Sequence, residues 1–184
     1  DLVRSRGLGD VYKRQVEIPA EDTTVDATEY TDPLQPELRA LDALNPRSQL
    51  LRVARMEGIT NAVSAPAEGN LLAGQSALIH LDGETVEQLV LKSPAALHAN
   101  LGEPSKLTYA EKDKPPTTRM GQLALLRQAF LKAQHYRAEH EAYARRQAEK
   151  KPARSPQEDD SKVEGPPARD LKMDALLEAL DGKV

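Results

Sequence analysis

Apolar residues in this chain fall into short groups separated by polar stretches punctuated with proline and glycine. In "LDALNPRSQLLRVARMEG", Leu50, Leu51 and Ala54 share one face at helical spacing. Asn45 is placed to cap that helix, Pro46 to take its first position, and Gly58 to end it, where a positive φ costs least. "ITNAVSA" then predicts a short, half-buried strand, and a helix feeding a strand is the unit of an α/β fold. The small-residue loop "PAEGNLLAGQ" leads into "SALIHL", and Asp82-Gly83 reads as a tight turn. "ETVEQLVL" is a second strand or a short helical turn, Pro94 restarts the chain, and "AALHANL" is a third strand.

From 117 to 150 the pattern changes to one long helix. Leu123, Leu126, Phe130 and Ala133 make its apolar stripe, and beyond Tyr136 the stripe fades, so the second half should project into water or fray. Residues 151–169, "KPARSPQEDDSKVEGPPAR", lack apolar anchors and predict a disordered linker. In residues 170–184, Asp170 is placed to cap a helix whose face is Met173, Leu176, Leu177 and Leu180, with Gly182 ending it. An α/β chain would begin its next strand there, so this end is expected to be a truncation.

The start reads differently. Residues 1–15, "DLVRSRGLGDVYKRQ", show neither helical nor alternating periodicity and resemble a translated sequencing adapter, so they are set apart from the fold. A basic arm is the competing reading, but the acidic stretch that follows does not suggest a nucleic-acid contact. Residues 16–36 predict an extended loop, and the domain proper runs from 16 to 150.

Composition narrows the classes. With 184 residues, 39% hydrophobic and 3% aromatic, the chain holds one ordinary domain whose core is confined to a few segments. No cysteine means no disulfide framework and no thiolate zinc site. No run approaches the roughly 18 apolar residues of a membrane span. A net charge of -4 gives no general attraction to nucleic acid. The long helix carries eight Lys or Arg against three Glu between 117 and 151, and the plainer reading of that face is a solvated one.

Candidate chemistry is sparse. His80, His98, His135 and His140 form no H-x-H or H-E-x-x-H pair, and their plainer reading is as surface residues. No nucleophile elbow, phosphate loop or dinucleotide fingerprint is present. "EGNLLAGQ" lies where α/β folds present groups to ligands, although Gly69 and Gly74 also fit simple turns. In "ALHANLGEPSK" a strand-then-loop reading brings Glu103 to the mouth of a site.

Taken together, "LDALNPRSQLLRVARMEGITNAVSAPAEGNLLAGQSALIHLDG", "LHANLGEPSK" and "TTRMGQLALLRQAFLKAQHYR" resemble consecutive blocks of the metal-dependent amidohydrolase superfamily, in its imidazolonepropionase-like branch, over about residues 34 to 183. The resemblance implies part of a (β/α)8 TIM-type barrel, here with a long inserted helix. It also implies one or two divalent metals, usually zinc, that polarise an amide carbonyl and activate water. The main histidine and aspartate ligands of that family match no position in this chain, so the expectation is an inactive interior fragment that binds no metal itself. A middle-strand Glu is a metal ligand in related enzymes, which nominates Glu103; the alternative is that it only bonds its own loop. "GEPSK" keeps Gly102, Glu103 and Lys106 of a common "GENPK" loop and departs at Pro104 and Ser105. Asn70, Gln75 and His98 are nominated for substrate contact, although relatives commonly carry Lys at the place of His98. The implied substrate is a small amide or cyclic amide. A homo-oligomer and an exported or periplasmic location fit that branch, with the cytoplasm as the alternative. The competing class is a non-enzymatic interaction module that pairs with a partner through Leu123, Leu126 and Phe130 of the long helix.

Overall fold

Leu71 to Ala77 is buried at every residue, and this run organises the rest of the chain. A computed structural model describes residues 28–149 and 165–184; the expectations for 1–15, for 16–27 and for the linker up to 164 lie outside the described residues. The elements are a 3-10 turn Ala40–Ala43, α1 (Gln49–Met56), β1 (Asn61–Ser64), β2 (Leu72–His80), α2 (Val86–Leu89), β3 (Val90–Ala99), α3 (Glu103–Ala110), α4 (Arg119–Glu149) and α5 (Leu171–Leu180).

The sheet has the order β1-β2-β3 and both pairings are antiparallel. Consecutive strands of a βα barrel run parallel, so these three are not successive barrel strands. "ETVEQLVL" supplies both of its alternatives, the helical turn α2 and the first residues of β3. β1 alternates exposed and buried, as a half-buried strand should. β2 is covered on both faces, which explains why small and apolar residues run through it without alternation. Residues 34–39 lie beside β2 and pair with it through parallel bridges at Leu34–Leu72 and Arg39–Gln75. Gly74 permits that approach. Its φ is +122°, and a Cβ there would stand 2.5 Å from the Leu38 carbonyl oxygen.

Two apolar clusters form around the sheet. Leu51 of α1 packs with Ala62, Ala77, Ile79, Leu81 and Leu89, joined by Leu41, Leu44, Ala54 and Ile59. Leu72 packs with Ala129 and Ala133 of α4 and Leu176 of α5, joined by Leu34, Leu97, Leu126, Phe130, Met173 and Leu177.

Several boundaries differ from the sequence reading. Asn45 and Pro46 form a turn before α1, with the Asn45 side chain accepting from the Arg47 amide at 3.0 Å. Ser48 is the cap, its Oγ accepting from the Leu50 amide at 3.3 Å. Gly58 does end the helix, with φ +80°. "GEPSK" is the first turn of α3 rather than a loop, since Pro104 is tolerated where amides have no helical partner and Ser105 and Tyr109, four apart, bury one face.

On α4 the buried positions are Gln122, Ala129 and Ala133, and Leu123 is turned outward. Alanines at the contact, Ala129 and Ala133, let α5 approach closely, with Leu126 and Phe130 packing beside them. The expected docking trio is divided, because Leu126 and Phe130 pack inside and Leu123 alone of the three is exposed. Beyond Tyr136 the helix continues to Glu149 with i,i+4 pairs His135–Glu139 at 3.1 Å and Arg145–Glu141 at 3.3 Å. Asp170 caps α5, accepting from Lys172 and Met173 amides at 2.9 and 3.4 Å. Leu176 is the buried centre of its face and Leu180 stays exposed. Among the described residues no helix is long and apolar enough to cross a membrane.

Candidate functional site

The loop before β2 and the loop after β3 meet through one side chain, Asn70, which is 1% exposed. Its Nδ2 donates to the Glu29 carbonyl and to Gln35 Oε1, both at 2.6 Å. Its Oδ1 accepts from the Tyr109 hydroxyl at 2.7 Å. The Asn70 carbonyl accepts from Asn100 Nδ2 at 2.9 Å, and the Asn100 carbonyl accepts from Ser105 Oγ at 2.9 Å. Gln122 of α4 closes the far side: its Nε2 donates to Ser105 Oγ at 2.6 Å and to the Gly102 carbonyl at 2.8 Å. Both amide hydrogens of Asn70 are thereby used. Burial, then the charges of Asp32 and Glu29 and the neighbouring Tyr30, push the Tyr109 hydroxyl up to about 12, so it stays a donor at neutral pH.

Glu103 stands just outside this network at the first position of α3, after Gly102. Its carboxylate is exposed and lies 2.8 Å from Lys106 Nζ and 3.1 Å from Arg119 Nη2. The Lys106 hydrogen bond, its charge and the Arg119 hydrogen bond hold Glu103 below its ordinary 4.5. An approaching metal would have to displace two cations. No group of three or more His, Asp or Glu able to hold a metal exists among the described residues. The residues present therefore do not fit a metal centre by themselves.

Gln75 and His98 lie one ladder step apart: Gly74 pairs with His98, and Gln75 with Leu97. Gln75 is buried, and its backbone amide donates to the Leu38 carbonyl at 2.6 Å. His98 is half-buried, with a shielded Nε2 that has no hydrogen-bond partner among the described residues. Burial lowers its pKa below 6.5 and favours the neutral ring. The surface reading holds for His135 but not for His98 or for His140, which contacts the Tyr136 ring at 4.3 Å between centroids.

The structure thus joins Asn70 to the loop that leads to Glu103, whereas Gln75, paired with Leu97, and His98, paired with Gly74, project from opposite faces of the sheet and are not brought together. Sequence reasoning missed Tyr109, Ser105 and Gln122. The spacing of Ser105 and Tyr109 was a usable signal, whereas Gln122 looked like one more polar residue of a helix. A cavity of about 540 Å³ between the start of α1 and the turn at 81–84 is lined by Arg47, Arg52, Arg55, Asp82 and Glu84 among others. It contains none of the nominated residues.

No family model matches this chain, and no curated protein matches it. Among solved structures it is similar to an amidohydrolase from Thermotoga maritima MSB8, with 30% identity and a TM-score of 0.76. The match covers 90% of this chain and 39% of that one, so the chain spans about two fifths of the length of that neighbour. This likeness in both sequence and structure supports a hydrolase-family relationship.

Proposed function

We propose that this chain is part of a metal-dependent amidohydrolase of the imidazolonepropionase-like branch, whose whole protein hydrolyses the C–N bond of a small amide or cyclic amide. The observation that carries this reading is the similarity to the Thermotoga amidohydrolase across 90% of the chain. In this reading α1 and β1 are one helix–strand unit of a barrel, and β2 with β3 is an antiparallel elaboration of it. A divalent metal, zinc by resemblance, supplies carbonyl polarisation and water activation in such enzymes. Its ligands would come from chain beyond the residues described here, because these do not assemble a donor set. What this chain contributes is placement: the Asn70–Tyr109–Gln122 network fixes the loop at 100–105 relative to β2. Gln75 and His98 remain our proposed substrate contacts.

The test is to recover the flanking coding DNA, express the extended reading frame, and assay a panel of amides and cyclic amides before and after chelation. Hydrolysis that is lost on chelation and restored by zinc supports the reading. An extended protein that hydrolyses none of them, or whose activity ignores chelation, overturns it. In the same protein Glu103→Ala separates the two roles of that residue, since a ligand takes stoichiometric metal with it and an ion-pair partner leaves the metal content unchanged.

A further inference from the structure

The cavity between the start of α1 and the turn at 81–84 holds about 540 Å³ and lies apart from the Asn70 network. β2 separates the two: Leu72 is at the network end and His80 beside the turn, which at eight residues is about 26 Å of extended chain. The volume is that of a small-molecule site, but such sites are mostly apolar, and this one has a charged rim. Ser48, Leu51 and Leu81 are its buried residues. Arg47, Arg52 and Arg55 line it from the side of α1, and Asp82 and Glu84 from the turn.

These charges do not close among themselves. Arg55 pairs with Asp82. That leaves Arg47 and Arg52, neither of which has an ion-pair partner among the described residues, against the single carboxylate of Glu84. Arg52 and Arg55 are three apart on α1, a spacing that sets like charges side by side and is unfavourable without a counter-charge. Ser48, 5% exposed, adds a second imbalance. Its Oγ accepts from the Leu50 amide at 3.3 Å, and its hydroxyl proton has no acceptor among the described residues. A buried donor left unused is uncommon in a folded chain. One wall of the cavity therefore offers two guanidinium forks and a spare hydroxyl donor, and the other wall offers an acceptor.

We propose that this cavity is a second ligand site, for a small phosphate monoester whose organic part carries hydroxyl groups. Three separate donors, Arg47, Arg52 and Ser48, call for an anion with three outward oxygens, which a phosphoryl group has and a carboxylate lacks. Guanidinium forks match phosphate oxygens in pairs, and this fixes the anionic end of the ligand on the α1 side. The volume exceeds what a bare phosphate fills, and the space beyond it is bounded by Glu84, an acceptor for the hydroxyls of the organic part. The site stands independently of the hydrolase reading, since none of the residues nominated for that reading lines the cavity.

The test is an NMR titration of the 184-residue chain with glycerol phosphate, inorganic phosphate and glycerol at matched ionic strength. Glycerol phosphate should shift the amides of the α1 start and of the 81–84 turn saturably, with a dissociation constant at or below about 1 mM. Inorganic phosphate should act on the α1 amides about fivefold or more weakly, because it cannot reach Glu84, and glycerol alone should move neither group. Arg47→Gln and Arg52→Gln should each weaken glycerol phosphate about tenfold, the loss of one charge-assisted fork. Both side chains are exposed, so the melting temperature should stay within about 2 °C of wild type and separate lost binding from lost folding. Glu84→Ala should narrow the gap between glycerol phosphate and inorganic phosphate. Absence of saturation at ten times the expected constant overturns the proposal, as does equal affinity for the two phosphates. An affinity that survives Arg47→Gln combined with Arg52→Gln overturns it as well.

Discussion

Tyr109→Phe removes one oxygen from the middle of the polar network and nothing else. In the native chain that hydroxyl donates to Asn70 Oδ1 at 2.7 Å, in a buried position. Asn70 still donates to Glu29 and Gln35 after the change, so its orientation stays fixed and its Oδ1 is left buried without a donor. A buried acceptor stripped of its partner costs about 1–3 kcal/mol. At about 2–4 °C per kcal/mol for a chain of this size, the melting temperature should fall by about 2–12 °C. Urea unfolding followed by circular dichroism should show a lower midpoint at an unchanged slope, because the area exposed on unfolding is the same. Tyr30→Phe is the control: that ring is 45% exposed, and the change should stay within about 0.5 kcal/mol. Combining Tyr109→Phe with Asn70→Ala should cost less than the sum of the two singles, with a coupling of about 0.5–3 kcal/mol. A Tyr109→Phe chain within about 0.5 kcal/mol of wild type would refute the claim that the network holds these loops together.

Gly74→Ala forces a Cβ to within 2.5 Å of the Leu38 carbonyl oxygen at φ +122°, and unfolding should report a loss of at least about 1–3 kcal/mol. Gly58→Ala, which meets no atom within 4 Å, should cost about 1 kcal/mol by the same measurement. Leu176→Ala should lose about 2–5 kcal/mol from the cluster around Leu72, while Leu131→Ala, at a position 65% exposed, should change stability by no more than about 0.5 kcal/mol. For His98 the folded pKa lies below the unfolded value of 6.5, so the unfolded chain binds the proton more readily. Stability should decline as pH falls from 6.5 through the folded value, and His98→Leu should flatten that part of the stability–pH curve measured by urea unfolding.

What the sequence shows clearly is what depends on neighbours in the chain. The cap at Asp170 and the helix end at Gly58 are local backbone problems with local side-chain solutions, and both appear as expected. The antiparallel pairing of β2 with β3 had one local signal, the Asp82-Gly83 turn between them, but residues 72–80 are buried on both faces and so lack the alternation that would mark a hairpin. Of the stripe read on α4, Leu126, Phe130 and Ala133 face the cluster and Leu123 turns outward, while Ala129, which the leucine spacing did not single out, is buried at the close contact with α5. Asn70 and Glu103 were visible as residues in interesting loops. That one is a buried hub and the other an exposed partner of two cations depends on Tyr109, Gln35 and Arg119, residues 39, 35 and 16 positions away.

The contact between Lys172 and Asp32 joins residues 140 positions apart, whereas the ladder of β1, β2 and β3 closes within residues 61–99. Loop closure grows only logarithmically with length, so this long connection weighs little on equilibrium. It weighs more on timing, because local contacts form before distant ones and synthesis proceeds from the N-terminal side. Leu72, Ala129 and Ala133 must therefore wait for Leu176 and Leu177, the last members of their cluster to leave the ribosome. During that interval the nascent chain carries an uncovered apolar face, and this is the stage at which a chaperone would have something to hold.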